Sequence, residues 1–197
     1  MRFTQLTMAV VLTLGALACA QAPTADIDAA QKALDDAGRA QASDYASEAW
    51  TAAKDAEAKL QTELEAQKQK WTPLRSYQTT KELAQLTKRE AERASQEAVA
   101  AKERTKGEAS DLLAQAREAH QNLQASLATA PRGKGTEADL ASMKSDSATV
   151  ESQLTEAQQL IDSGDYLAAK TKAQAALDTT KQIQAEIDEA KTRRRAA

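Results

Sequence analysis

The chain has 197 residues, a formal net charge of −3 and 42% hydrophobic residues, of which very few are aromatic. That mild charge excludes the broad basic face on which general nucleic-acid binding depends. A single histidine and a single cysteine leave no ligand set for a zinc centre.

The first segment reads as an export signal, residues 1–18. Arg2 supplies a positive charge, thirteen uncharged and mostly apolar residues run from Leu6 to Ala18, and small residues surround the cut at Ala16-Leu17-Ala18-Cys19-Ala20. The apolar run is too short to span a bilayer as a helix, which needs roughly 20 residues. Cys19, the only cysteine, is the expected lipid-attachment residue of a bacterial lipoprotein box, and residues 19–23 form the tether behind it. A box of this kind prefers leucine three places before the cysteine; here that place holds Ala16, with Leu17 one later. The alternatives are ordinary cleavage after Ala18, or after Ala20, which discards the cysteine and leaves a soluble periplasmic or secreted protein. With a lipid in place, several acyl chains give stable anchoring. By resemblance to bacterial lipoproteins, Ala20 in the sorting position then favours the outer membrane, facing the periplasm.

Removing residues 1–18 takes away Arg2 alone among the charges, so the mature chain carries −4. Alanine occurs 45 times in the sequence, and strand formers are scarce. The fold class is therefore all-α: an elongated antiparallel helical bundle or coiled coil of about five helices around one long central helix. With so little large apolar surface, its core must be narrow seams of alanine with leucine and isoleucine at intervals.

Residues 24–128 form the first helical unit. A helix starts near Thr24, with Ile27, Ala30, Leu34, Ala37 and Gln41 on one face. Ser43-Asp44-Tyr45 is a candidate break, but no proline enforces it, so one helix or two over residues 24–71 stays open. From Ser47 to Trp71 the stripe is Ala49, Ala53, Ala56, Leu60, Leu64, Gln67 and Trp71. Thr72-Pro73 punctuates, as helix cap and first helical position. The longest helix is expected from Leu74 to Leu127. Its seam runs Ala84, Thr87, Ala91, Ala94, Ala98 and Ala101, then resumes as Ala109, Leu112, Ala116, Ala119, Leu123 and Ser126. The phase slips through Thr105 beside Gly107, where the helix is expected to bend or change partner.

Residues 129–136 read as a loop around Pro131, Gly133 and Gly135. Residues 137–197 read as a helical hairpin packing on the long helix. Thr136 is the expected cap, and the first seam is Leu140, Met143, Ser147, Val150, Leu154, Ala157 and Ile161. Asp162-Ser163-Gly164-Asp165 turns the chain, and Asp165 caps the last helix, with seam Tyr166, Ala169, Ala173, Ala176, Thr180, Ile183, Ile187 and Ala190. Stability is expected to rest on Leu154, Ile161, Ile183 and Ile187. By length, the hairpin reaches back to the Gly107 region, so the breaks near Tyr45 and Gly164 fall together near the middle of the long helix.

Pro23-Thr24, Ile27, Ala30, Leu34, Ala37, Tyr45-Ala46-Ser47-Glu48, Ala53, Ala56, Leu60, Tyr77, Leu83-Ala84 and Ala91 together resemble a family of bacterial lipoproteins, domain of unknown function 4398, over roughly residues 19–105. Ser47 stands where that family has proline, and Arg75-Ser76-Tyr77 where it has Gly-Asp-Tyr, a triplet found instead at Gly164-Asp165-Tyr166. The resemblance implies a helical fold in the cell envelope and brings no activity with it.

No residues are assigned to catalysis, to a metal or to a cofactor, and neither a small-molecule substrate nor nucleic acid is expected. His120 is read as a bystander at an exposed or half-exposed helix position. The many carboxylates alternate with Lys and Arg at helical spacing, as in Glu90, Arg93 and Glu97, which reads as a solvated face. Trp50, Trp71, Tyr77 and Tyr166, like Tyr45, fall at expected helix ends. There they either plug the ends of a thin bundle or contact a partner. Lys191 and Arg193–Arg195 complement the dipole of the last helix, or meet an anionic surface. The expected function is that of a non-enzymatic envelope lipoprotein, a helical spacer, adaptor or protein-binding module, joined to the membrane by its lipid and to an envelope protein partner. A chaperone-like holder of client proteins is the alternative.

Overall fold

A computed structural model describes residues 21–130 and 137–196. Six α-helices follow one another among these residues: α1 Thr24–Arg39, α2 Ala42–Tyr45, α3 Ser47–Gln69, α4 Gln78–Ala128, α5 Glu137–Ser163 and α6 Tyr166–Ala196. A single 3-10 turn, Thr72–Leu74, lies between α3 and α4. The expected signal, Cys19, residues 131–136 of the expected loop and with them the expected Thr136 cap lie outside the described residues.

The organising element is α4, 51 residues and about 77 Å long at 1.5 Å per residue. Its first half packs with α1 and α3, and its second half with α5 and α6. Shared buried clusters fix the directions. Ala30 and Leu60 meet Ala84, Ala33, Leu34 and Ala53 meet Ala91, and Ala37 and Ala49 meet Ala94 and Ala98. Thus α1 runs parallel to α4 and α3 antiparallel to both. In the other half, Arg117 donates to Gln158 at 3.0 Å and Lys170 to Glu108 at 2.5 Å. With His120 against Ser147 further along α4, α5 runs antiparallel to α4; Lys172 paired with Glu156 sets α6 antiparallel to α5, and so parallel to α4. The expected central helix shared by two antiparallel packings is therefore present.

Between Ala98 and Ala109 no residue of α4 is buried. This is the phase slip seen in the sequence, and the helix exchanges partners there without breaking: Gly107 lies within α4. Residues 24–71 are not one helix. Gln41 turns the chain in the left-handed conformation (φ 59°, ψ 42°), and Ala46 (φ −145°, ψ 49°) separates α2 from α3 although no proline stands at the break. The long helix starts at Gln78, four residues later than expected, because Pro73 is taken up in the separate 3-10 turn.

The α5–α6 turn has strong local causes. Gly164 sits at φ 85°, its N–H donating to Ile161 O at 3.1 Å, and the Asp165 N–H reaches Leu160 O at 2.9 Å. That pair is a Schellman closure. Asp165 then caps α6, its Oδ1 accepting from the Ala168 N–H at 3.1 Å, as expected.

The seams of α5 and α6 largely follow the sequence: Val150, Leu154, Ala173, Ala176, Ile183 and Ile187 are buried. Ile161 packs against the same core but is only partly buried. The second half of α4 needs a correction. Its buried positions are Ala109, Leu113, Ala116, His120, Leu123 and Leu127, while Leu112, Ala119 and Ser126 are half-buried. A helix covered from two sides buries a face wider than one heptad stripe. His120 is consequently 5% exposed and no surface bystander. Its Nε2 lies 3.1 Å from the Ser147 carbonyl oxygen and 3.0 Å from Ser147 Oγ. A carbonyl only accepts, so Nε2 carries the proton that faces it.

Candidate functional site

The four aromatic residues considered for partner contact occupy three places. Trp50 is half-buried on α3, against the alanine clusters of the first pack, with Lys54 Nζ 5.7 Å from its ring centroid. It completes a core that alanine alone leaves thin. Tyr77, half-buried, is the residue before the first turn of α4. Tyr166 opens α6 at the junction of the two packs. Trp71 stands apart, 73% exposed, with Leu74 beside it at 69%. The plug reading therefore fails for Trp71, which fills no bundle end.

The cations of the junction, Lys102 and Lys106, are residues that the sequence did not single out; Tyr45 and Tyr166 are aromatics that it did. Lys102 Nζ lies 5.8 Å from the Tyr45 ring and 6.0 Å from the Tyr166 ring, and Lys106 Nζ 5.9 Å from Tyr166. Lys102 also donates to Gln41 Oε1 at 2.5 Å, which ties the α1–α2 turn to α4. Burial pushes the Tyr45 phenol above its ordinary range; the backbone N–H groups of Tyr166 and Leu167 at its hydroxyl oppose that rise, and Asp165 adds to it. One aromatic from each pack thus meets the same lysine at the level where α4 changes partners. Each cation–π contact of this exposed kind contributes about 0.5–1 kcal/mol. On the outer side, the hydrogen bond from Lys170 and then its charge hold the Glu108 carboxyl below the usual range. The cluster joins two packs.

The far end of the first pack is the tip loop, residues 70–77. Arg75 ties it to the end of α3, Nε donating to Lys70 O at 3.0 Å and Nη2 to Lys68 O at 3.1 Å. Gln67, buried, accepts the Ser76 N–H at 3.0 Å and donates to Glu63 at 2.7 Å. The 3-10 turn closes with Leu74 N–H to Trp71 O at 2.8 Å. That bond closes the turn on itself and brings the backbones of Trp71 and Leu74 together at the tip. Leu74 was legible: it is a large apolar residue beside proline that belongs to no seam.

Open grooves run along the helix contacts. One, about 470 Å³, lies between α1 and α4 and is lined by Lys32, Asp36, Lys88 and Glu92 among others. Another, about 260 Å³, exposes the edge of the His120 region beside Arg117 and Glu151. Among the described residues, no group of three His, Cys, Asp or Glu side chains is placed to hold a metal ion. Among them, too, no helix is long and apolar enough to cross a membrane. Lys191 and Arg193 pair with Asp188 and Glu189 on α6, at 3.7 Å and 2.8 Å. They lie at the end of the molecule opposite the start of α1. No family model, curated protein or solved structure matches the chain.

Proposed function

We propose that the chain is a non-enzymatic lipoprotein of the bacterial cell envelope, anchored at Cys19 and working as a helical spacer or adaptor in the periplasm. The observation that carries this reading is α4: one helix of about 77 Å holds two packs in line, so the two ends of the molecule are kept a fixed distance apart. A long helical body with narrow seams presents extended faces to partner helices and proteins. The export layout, the lone Cys19 and the resemblance to the lipoprotein family support the envelope setting.

A client holder needs a continuous apolar groove. The exposed large hydrophobics among the described residues are Trp71, Leu74, Val99 and Leu167, at two separate levels of the rod, which favours the spacer or adaptor over the holder. Cross-linking of the lipidated chain in intact envelopes, followed by recovery under denaturing conditions, tests the function. One stoichiometric envelope partner is expected; a diverse set of unfolded clients instead overturns it. Intact mass of the mature protein tests the anchor. A chain starting at Gln21, or an unmodified Cys19 in the membrane fraction, removes that part of the reading.

A further inference from the structure

We propose that the tip loop carrying Trp71 and Leu74 is a second membrane contact: a foot that enters the interface of an anionic phospholipid bilayer and sets the rod upright on it. The inference rests on Cys19 as the anchor, and adds a site that the anchor does not need.

Three observations carry it. The first is position. Gln85 donates to Asp26 at 3.3 Å, which fixes the start of α1 against α4. From Gln85 back to Gln78 the helix extends about 10 Å further, and the tip loop lies beyond that. The foot and the start of the chain are therefore at the same end, with the foot projecting past Thr24. Five residues from Cys19 to Thr24 span at most about 17 Å, enough for a lipid on Cys19 and the foot to reach one surface together.

The second is chemistry. Trp71 and Leu74 are the two most exposed large hydrophobics among the described residues. Tryptophan favours the headgroup level of a bilayer, where its ring is apolar and its N–H stays wet. The third is charge. Between Glu65 and Glu82 the sequence holds Lys68, Lys70, Arg75 and Lys81 and no acidic residue; Lys68 pairs with Glu65 at 2.6 Å, which leaves Lys70, Arg75 and Lys81 as the cations of this end. Cations next to an anionic leaflet contribute about 1 kcal/mol each and act together with apolar insertion. Arg75 and Gln67 pin the loop at its base, so inserting it requires little ordering.

Residues 19–197, which hold every helix described, can be coupled through Cys19 to a maleimide lipid, so the test does not depend on natural lipidation. The vesicles contain phosphatidylglycerol and phosphatidylethanolamine with brominated acyl chains, which quench tryptophan that enters them. Trp71 is read alone in Trp50→Phe, and Trp50 alone in Trp71→Phe. Trp50 is 21 positions before Trp71, about 30 Å back along the rod, and serves as the internal control. Trp71 emission should fall about twofold or more while Trp50 keeps its own. Leu74→Asp, an exposed change that leaves the helices intact, should restore Trp71 emission. Unquenched Trp71 on a tethered, helical chain overturns the proposal and leaves a protein surface as the occupant. Equal quenching of both tryptophans also overturns it, because the rod then lies flat. A native chain whose mass shows no lipid, with Trp71 still quenched in the coupled protein, removes the anchor reading and keeps the foot.

Discussion

Around the first half of α4 the buried hydrophobics on α1 and α3 are alanines, save for Leu34 and Leu60; around the second half they include Val150, Leu154, Leu177, Ile183 and Ile187, facing Leu113, Leu123 and Leu127. One helix thus supports two packs of different material. Alanine seams bring backbones close and gain little from burial per residue. Each large aliphatic contributes about 1.5–3 kcal/mol when fully buried. The first pack therefore fails when a side chain is enlarged, and the second when one is cut down.

Ile187→Ala should have the largest effect, a loss of about 2–5 kcal/mol, because the surroundings of a buried isoleucine only partly close over the cavity. Ala91→Leu, at a position with no exposed surface in the first pack, should cost about 1–3 kcal/mol by overpacking. Denaturant melts followed by hydrogen exchange measure both and locate them. Ile187→Ala should raise exchange in α5 and α6, and Ala91→Leu in α1 and α3. Equal loss of protection along the whole of α4 in both variants would show that the packs unfold as one unit.

One buried polar group in each pack can be set against the other. In the second pack, His120 meets the Ser147 carbonyl and hydroxyl. In the first, Thr80 has no exposed surface and its Oγ1 meets no protein hydrogen-bond partner. His120→Ala should lose about 1–3 kcal/mol, since it opens a cavity and strands the Ser147 groups. Thr80→Val removes an unsatisfied hydroxyl at constant shape and should gain about 1 kcal/mol. Thermal melts of the pair give the sign directly. A neutral His120→Ala would return the histidine to the bystander role read from sequence.

That histidine shows where the sequence was readable and where it was not. Most of the α6 stripe could be placed, because its heptads are regular, but Leu177, buried beside Ala176, lay off it. The second half of α4 offers two stripes sharing Ala109, Ala116 and Leu123. Leu112 and Ala119 extend one, and Leu113 and His120 the other. Hydrophobicity favours alanine over histidine at 119 and 120, and so points to the wrong stripe. Only the arrangement of α5 and α6 decides, and the Ser147 partner lies 27 residues away in sequence. The plug reading of Trp71 fails for a related reason: helix ends in a bundle are usually covered by a neighbour, and beyond the tip loop none of the described helices extends. The junction lysines looked like ordinary members of a solvated face: helix lengths bring the two turns together, but do not say which side chains of α4 their aromatics meet.

The two turns at that junction complete the comparison and carry the smallest effects. Both place one residue in the left-handed conformation, Gly164 at φ 85° between α5 and α6 and Gln41 at φ 59° between α1 and α2. A residue with a Cβ pays roughly 1–2 kcal/mol there, and glycine does not. Gly164→Ala meets no neighbouring atom within 4 Å, so its loss of about 1–2 kcal/mol should be wholly conformational. Gln41→Gly removes the same strain but gives the unfolded chain about 0.4–1 kcal/mol more freedom to lose. It also removes the exposed hydrogen bond to Lys102, which contributes little against water. A net gain of about 0.5 kcal/mol is expected, opposite in sign to Gly164→Ala. Melts of the two variants under one buffer read the difference. If Gln41→Gly instead loses as much as Gly164→Ala, the Lys102 contact holds the first turn, and the junction, not the backbone, fixes where α1 ends.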